Sequence, residues 1–121
     1  MKRVIGIGNA LTDMLVNLPN DNVLTEFSLP KGSMNLADTA TQTRISKSVA
    51  GYPYSLSLGG SASNTIRAMA RLGCKVGFIG KVGKDTTGDF FEQALENLGI
   101  EPFIMRSSIR SRKCVSLVSP D

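Results

Sequence analysis

The sequence predicts an α/β fold in which short apolar strands alternate with amphipathic helices. Three observations carry this. Leu-Gly followed by an apolar run occurs twice, with Leu72-Gly73 before the run at 76–79 and Leu98-Gly99 before that at 103–105. This is the rhythm of βαβ units rather than of a repeat array. Ala62, Ile66, Met69 and Ala70 recur at helical spacing, and Phe90, Phe91, Ala94, Leu95 and Leu98 form a second stripe, as buried helix faces do. Between the alternating segment 54–58 and the first stripe stand two adjacent glycines, Gly59 and Gly60. A turn without Cβ atoms lets other groups come close to the backbone.

The elements follow in order. Residues 3–8 (RVIGIG) read as a short buried strand ending at Asn9. Gly6-x-Gly8-x-x-Leu11 is a partial dinucleotide fingerprint, with leucine in place of the third glycine and no obvious helix after it. Thr12, Met14, Val16 and Leu18 alternate with Asp13, Leu15 and Asn17, so 12–18 is expected to be a strand closed by Pro19. Residues 21–27 form a short helix, broken by Leu29-Pro30-Lys31-Gly32. Residues 33–37 are a weak strand candidate. Asp38 is placed to cap a helix over 39–48, whose three threonines make it intrinsically poor. After Gly51-Tyr52-Pro53, the segment 54–58 (YSLSL) alternates and delivers the chain to the glycine pair.

The helix after the glycines has Asn64 in its first turn, where free N–H groups and the positive dipole end can hold hydroxyls or an anion. Gly73 suits the position just past its end. The run 76–79 is a buried strand, followed by a Gly-rich turn at Gly83-Lys84-Asp85. The next helix starts either from Asp85 as N-cap or from a capping-box-like Thr86-x-x-Asp89. Residues 103–105 and 114–118 are the last strands. Between them Arg106, Arg110, Arg112 and Lys113 mix with serines and no acid, which reads as a solvated hairpin loop.

Composition narrows the chemistry. A chain of 121 residues holds one domain at most, and its 41% hydrophobic content suits a soluble chain with a core. Fourteen bases against ten acids leave a net charge of +4. That permits nucleic-acid binding, but the bases lack interleaved aromatic residues. There is no histidine, so acid–base chemistry falls to Asp, Glu, Lys or Cys. Cys74 and Cys114 make no CxxC pair, which argues against a metal site, and each borders an apolar run, so buried reduced thiols are expected. No stretch is long enough to span a membrane and the N-terminus has no signal-peptide pattern, so a cytoplasmic protein is the simplest reading.

The order Gly59-Gly60-x-x-x-Asn64, Ala68, Ala70-x-Leu72-Gly73, Gly80-x-x-Gly83-x-Asp85-x-x-Gly88 resembles the N-terminal signature of the PfkB (ribokinase-like) carbohydrate and nucleoside kinases. Gly8-Asn9-Ala10-Leu11-Thr12-Asp13 is similar to the start of their adenosine-kinase-like members. The resemblance implies the N-terminal part of a three-layer α/β sandwich with a small β lid. The lid strands would be drawn from 12–18, 33–37, 54–58 and 114–118. It implies that Asp13, Gly60 and Asn64 hold sugar hydroxyls and that Gly59 allows their close approach. Asn9, Leu11 and Ser61 are secondary contacts. A carboxylate suits this task because it accepts bonds from two neighbouring hydroxyls. Ser111-Arg112-Lys113-Cys114 departs from the Thr-Gly-Thr-like step of the family, and that step's role is not carried over.

The implied activity of the complete enzyme is transfer of the γ-phosphoryl group of ATP, with Mg2+, to a primary hydroxyl of a sugar or nucleoside. The partner is that small molecule rather than nucleic acid or a membrane, and homodimerisation through the lid strands is implied as an option. The family's catalytic aspartate lies in an Asp-Thr-x-Gly-Ala-Gly-Asp motif that this chain lacks. No catalytic residue and no metal ligand is therefore expected here, and the chain alone is expected to be inactive. Ending at Ser119-Pro120-Asp121, it reads as cut within a hairpin. The rival readings are a non-catalytic sugar-binding or partner-binding module, a basic nucleic-acid-binding domain and a dinucleotide enzyme.

Overall fold

The computed structural model describes residues 2–120; Met1 and Asp121, the latter at the expected hairpin, lie outside the described residues. The chain forms β1 (Val4–Ile7), β2 (Leu11–Asn17), α1 (Asn22–Glu26), α2 (Thr39–Ser48), β3 (Tyr54–Gly59), α3 (Ser61–Arg71), β4 (Val76–Gly83), α4 (Thr86–Asn97), β5 (Glu101–Ser107) and β6 (Arg112–Val118). They divide into two compact units, one of residues 1–14 and 56–114, the other of 15–55 and 115–121.

The first unit is built on a parallel sheet of order β1-β4-β5, with Val4 opposite Val76 and Gly77 opposite Glu101. Strand β4 lies in the middle, and its alternate residues Val76, Phe78 and Val82 are buried. They meet Ile66 of α3 and Phe91 and Leu95 of α4 in one core, which Ile100, Leu58 and Ala10 complete. The Phe78 and Phe91 rings pack with centroids 5.8 Å apart at 51°. Removal of these apolar side chains from water is the main force holding helices on sheet. The opposite face presents Ile5, Ile7, Phe103 and Met105, all exposed. Parallel sheets are ordinarily covered on both faces, so this is the face that a third layer of the α/β sandwich would cover.

Both helices of this unit begin and end for local reasons. Helix α3 starts at Gly60 and α4 at Asp85, whose side chain accepts from the Gly88 N–H; Asp85, not the Thr86 box, is the cap. Past α3, the Gly73 N–H donates to the Ala70 carbonyl and the Cys74 N–H to that of Met69. Gly99 and Ile100 repeat the pattern on Glu96 and Leu95. Gly73 and Gly99 have φ of 87° and 74°, the left-handed geometry that this C-terminal motif requires.

Several expectations need correction. Strand β4 runs past the expected 76–79 to Gly83, the first residue of the expected turn, because β5 pairs with it from Gly77 to Gly83, whereas β1 pairs only with Val76–Ile79. No strand forms at 33–37; Met34 and Leu36 are fully exposed, and alternation without a partner strand forms no ladder. Strands β5 and β6 belong to different sheets, so the basic segment between them is a crossover and not a hairpin loop. Arg106 is not free of acids, since it pairs with Asp89 at 3.0 Å and Glu92 at 3.2 Å on α4. Cys74 is exposed and Cys114 only partly buried, because Cys74 belongs to the turn that closes α3 rather than to the apolar run behind it. Gly6 and Gly8 do not open a dinucleotide loop. A Cβ on Gly6 would come within 2.5 Å of Ile66, and one on Gly8 within 2.7 Å of Ala62. These glycines let α3 lie close on β1, and a strand follows them rather than a helix.

The second unit holds α1 and α2 and buries Val16, Leu18, Val23, Leu24, Ile45 and Val49. Asp38 caps α2 as expected, with the Thr41 N–H donating to its Oδ1 at 2.7 Å. Arg44 lies over the Phe27 ring at 5.6 Å. The second sheet has the order β3-β2-β6, and each of its strands passes from one unit into the other. Three of the four expected lid segments therefore form strands of one sheet. No helix among the described residues is long and apolar enough to cross a membrane.

Candidate functional site

The glycine pair, the end of β1 and the start of β2 meet at one corner of the first unit. Thr12 of β2 points inward and is 1% exposed. Strand alternation therefore turns its neighbours Leu11 and Asp13 to the other face, and Asp13 lands on Gly59, the last residue of β3. A Cβ on Gly59 would stand 2.6 Å from Asp13 Oδ1 and 2.8 Å from Oδ2. Only glycine leaves room for the carboxylate in this position. No described residue donates a hydrogen bond to Asp13 or pairs with it, so both of its oxygens remain open to a ligand.

Gly60 follows with φ 90° and ψ 145°, a conformation that side-chain-bearing residues rarely adopt. Its missing Cβ is also where the Asn9 carbonyl sits, 2.8 Å from the position such an atom would take, with Leu11 at 3.9 Å. Asn9, Leu11, Asp13, Gly59 and Gly60 thus converge. Gly60 is the N-cap of α3 and no side chain caps this end, so the first-turn N–H groups are available as donors. Asn64 stands at the end of that turn, its N–H donating to the Gly60 carbonyl at 2.9 Å. Arg67 Nη1 donates to Asn64 Oδ1 at 3.2 Å and to the Leu58 carbonyl at 2.8 Å. This fixes the amide's orientation and leaves its NH2 as donor. Ser61 opens α3 and is exposed, but its hydroxyl is not tied into this cluster.

A second constellation was not expected from the sequence. The Asp85 carboxylate accepts from the Ser111 N–H at 2.8 Å, the Ser111 hydroxyl at 2.7 Å and the Gly88 N–H at 2.7 Å. The Ser111 hydroxyl in turn accepts from the Gly83 N–H at 2.8 Å. Burial pushes the Asp85 carboxyl up, but the Ser111 and Gly88 hydrogen bonds and the Arg106 charge outweigh it and hold it below its ordinary value. The helix cap was legible; the partner lies 26 residues away, a distance at which no local signal exists.

Next to the corner, a cleft of about 240 Å3 opens at the carboxyl ends of β1, β4 and β5, the side on which open α/β sheets bind ligands. It is lined by Gly8, Asn9, Ala10, Lys81, Val82, Ser107, Ile109, Arg110 and Arg112. Among the described residues no three His, Cys, Asp or Glu come together to hold a metal ion. The residues present do not fit a Mg2+ site, and no phosphoryl-transfer step is assigned to them.

Comparison with known proteins bears on the family and the fold. The sequence profile described as pfkB family carbohydrate kinase matches residues 32–121, a stretch that includes Gly59, Gly60 and Asn64 and begins after Asp13. A 5-dehydro-2-deoxygluconokinase of Clostridium beijerinckii is 52% identical over 44 residues, which make up 36% of this chain and 13% of that protein. The adenosine kinase of Schistosoma mansoni, solved with 2-fluoroadenosine, shares the fold with a TM-score of 0.78 at 21% identity, over 95% of this chain and 35% of that one. An adenosine kinase from Sinorhizobium meliloti superposes with a TM-score of 0.72 at 28% identity, over 98% of this chain and 36% of that one. The chain therefore spans about a third of the length of these adenosine kinases, and its match covers 13% of the 5-dehydro-2-deoxygluconokinase. With the profile matching most of its residues and the N-terminal architecture of ribokinase-like kinases in its fold, this chain belongs to the pfkB family of carbohydrate kinases.

Proposed function

We propose that this chain is the sugar-binding portion of an ATP-dependent kinase that transfers the γ-phosphoryl group to a primary hydroxyl of a sugar or nucleoside. The observation that carries the reading is the Asp13 carboxylate seated over Gly59, with no partner among the described residues, beside the uncapped start of α3. In this reading Asp13 accepts bonds from two adjacent hydroxyls. The Asn64 amide and the first-turn N–H groups donate to the hydroxyl oxygens, and Gly59 and Gly60 let the ring approach the backbone. Asn9, Leu11 and Ser61 border the same space. Binding of this kind holds the acceptor hydroxyl in place, which is the positioning part of phosphoryl transfer. The base and the ATP and Mg2+ sites are assigned to the remainder of the full-length protein.

The test is to incubate the full-length protein with Mg-ATP and a panel of sugars, sugar acids and nucleosides, and to look for phosphorylated product by mass spectrometry. Product from at least one of them is expected from the full-length protein, and none from the 121-residue chain alone. Saturable sugar binding without product from the full-length protein would replace this reading with that of a non-catalytic sugar-binding module.

A further inference from the structure

The cleft at the strand ends carries a charge that hydroxyl recognition does not need. Of its nine lining residues three are cationic, Lys81, Arg110 and Arg112, and none is Asp or Glu. The acids beside the crossover are already engaged, Asp85 with Ser111 and Gly88, Asp89 and Glu92 with Arg106, and the open carboxylate of Asp13 lies on Gly59 in the adjoining corner. The backbone that carries the two arginines is also held in place. Ser111 stands between Arg110 and Arg112 and is tied at three points, by its N–H and hydroxyl to Asp85 and by the Gly83 N–H to its Oγ. Gly83 is required for this, since a Cβ there would come within 2.5 Å of the Ile109 carbonyl and 2.7 Å of the Ser111 nitrogen. The crossover is thereby pinned to the end of β4, and its two guanidinium residues flank the pin. Asn9 lines the cleft and its carbonyl also lies on Gly60, so the cleft adjoins the hydroxyl-binding corner.

We propose that this cleft is the seat of an oxyanion carried by the sugar substrate, a carboxylate or a phosphate ester, and so selects an acidic sugar over a neutral one. Arg112 supplies the forked donors that match such a group and Lys81 supplies a compact second charge. Ser111 and Asp85 are positioning residues. The proposal rests on the sugar-binding reading above and adds the substrate class to it.

The test is calorimetric titration of the full-length protein, without ATP, with D-glucose, D-gluconate and D-glucose 6-phosphate. At least one of the two anions is expected to bind about tenfold or more tightly than glucose, as charge-assisted hydrogen bonds require. Preference for gluconate identifies a carboxylate, and preference for glucose 6-phosphate a phosphate. In the double variant Lys81→Gln, Arg112→Gln the anion-to-neutral affinity ratio falls to near one, and in wild type it falls as salt is raised. Glucose binding as tightly as both anions, a preference that survives in the double variant, or no binding of any of the three would each overturn the proposal. Its failure is separable from that of the kinase reading. Phosphorylation of neutral sugars without anion preference removes the oxyanion seat alone, whereas anion preference without any phosphorylation removes the kinase reading alone.

Discussion

Asp13 and Gly59 form a pair that neither residue explains by itself. The carboxylate occupies the volume that a side chain at 59 would fill, so removing the one and enlarging the other should injure the same function. Asp13→Ala is expected to weaken sugar binding by about 1.5–3 kcal/mol, the size of a hydrogen bond to a charged group, with the fold intact. Gly59→Ala is expected to weaken it comparably, because the new methyl displaces the carboxylate. The double variant should then lose no more than Asp13→Ala alone, since the displaced group is already gone. Additive losses in a calorimetric double-mutant cycle would mean that the two sites act independently. The sequence marks both positions, but their juxtaposition enters only through the family resemblance, because the strand aspartate and the glycine lie 46 positions apart in the chain.

The helices of the first unit were legible because their signals are local. The stripe of Ile66 and Met69, the Asp85 cap and the glycines past each C-terminus all act within a few residues. Strand β4 was legible only in its first half, since its extension to Gly83 depends on pairing with β5, which no local signal announces beside the Gly-rich turn at Gly83. Residues 33–37 failed for the converse reason, having the alternation without a partner. The clasp of Asp85 on Ser111 joins a local cap to a distant crossover and yields a pH dependence with a definite sign. Its carboxyl is held below the ordinary value of 3.8 when folded. Its contribution to stability is therefore complete above that value and is lost as pH falls through the lower folded value. Asp85→Asn is expected to cost about 1–2 kcal/mol near neutral pH, through loss of the charged cap and its bonds. The gap between variant and wild type in urea unfolding should narrow as pH falls below 3.8. A gap that widens in acid would refute the assignment. Ser111→Ala should reproduce part of the loss and reduce the anion-to-neutral affinity ratio, which a purely structural role would leave unchanged.

At the scale of the whole molecule, the question is what keeps the corner and the cleft in register with each other. Both are anchored on one core, because Ala10 and Leu58, adjacent to Asn9 and Gly59, are buried with Phe78, Val82 and Phe91. The ring pair Phe78–Phe91 joins the middle strand to α4 at the centre of that core. Each ring is fully buried, so neither can be shortened without leaving a cavity that the surrounding β-sheet only partly collapses into. Phe91→Ala is expected to cost about 3–5 kcal/mol, a large share of the roughly 5–15 kcal/mol that stabilises a folded domain. Amide hydrogen exchange localises the effect. In the wild type the slowest amides should be those of the first half of β4, Val76–Ile79, which lies between β1 and β5 and is largely buried. In the variant, protection should fall together across β1, β4 and β5, because the three strands share the core that Phe91 completes. Loss confined to α4, with β4 still protected, would mean that the sheet holds without the helix. The carboxylate seat and the cationic cleft would then not depend on one cooperative unit, and substitutions at one would leave the other's binding untouched.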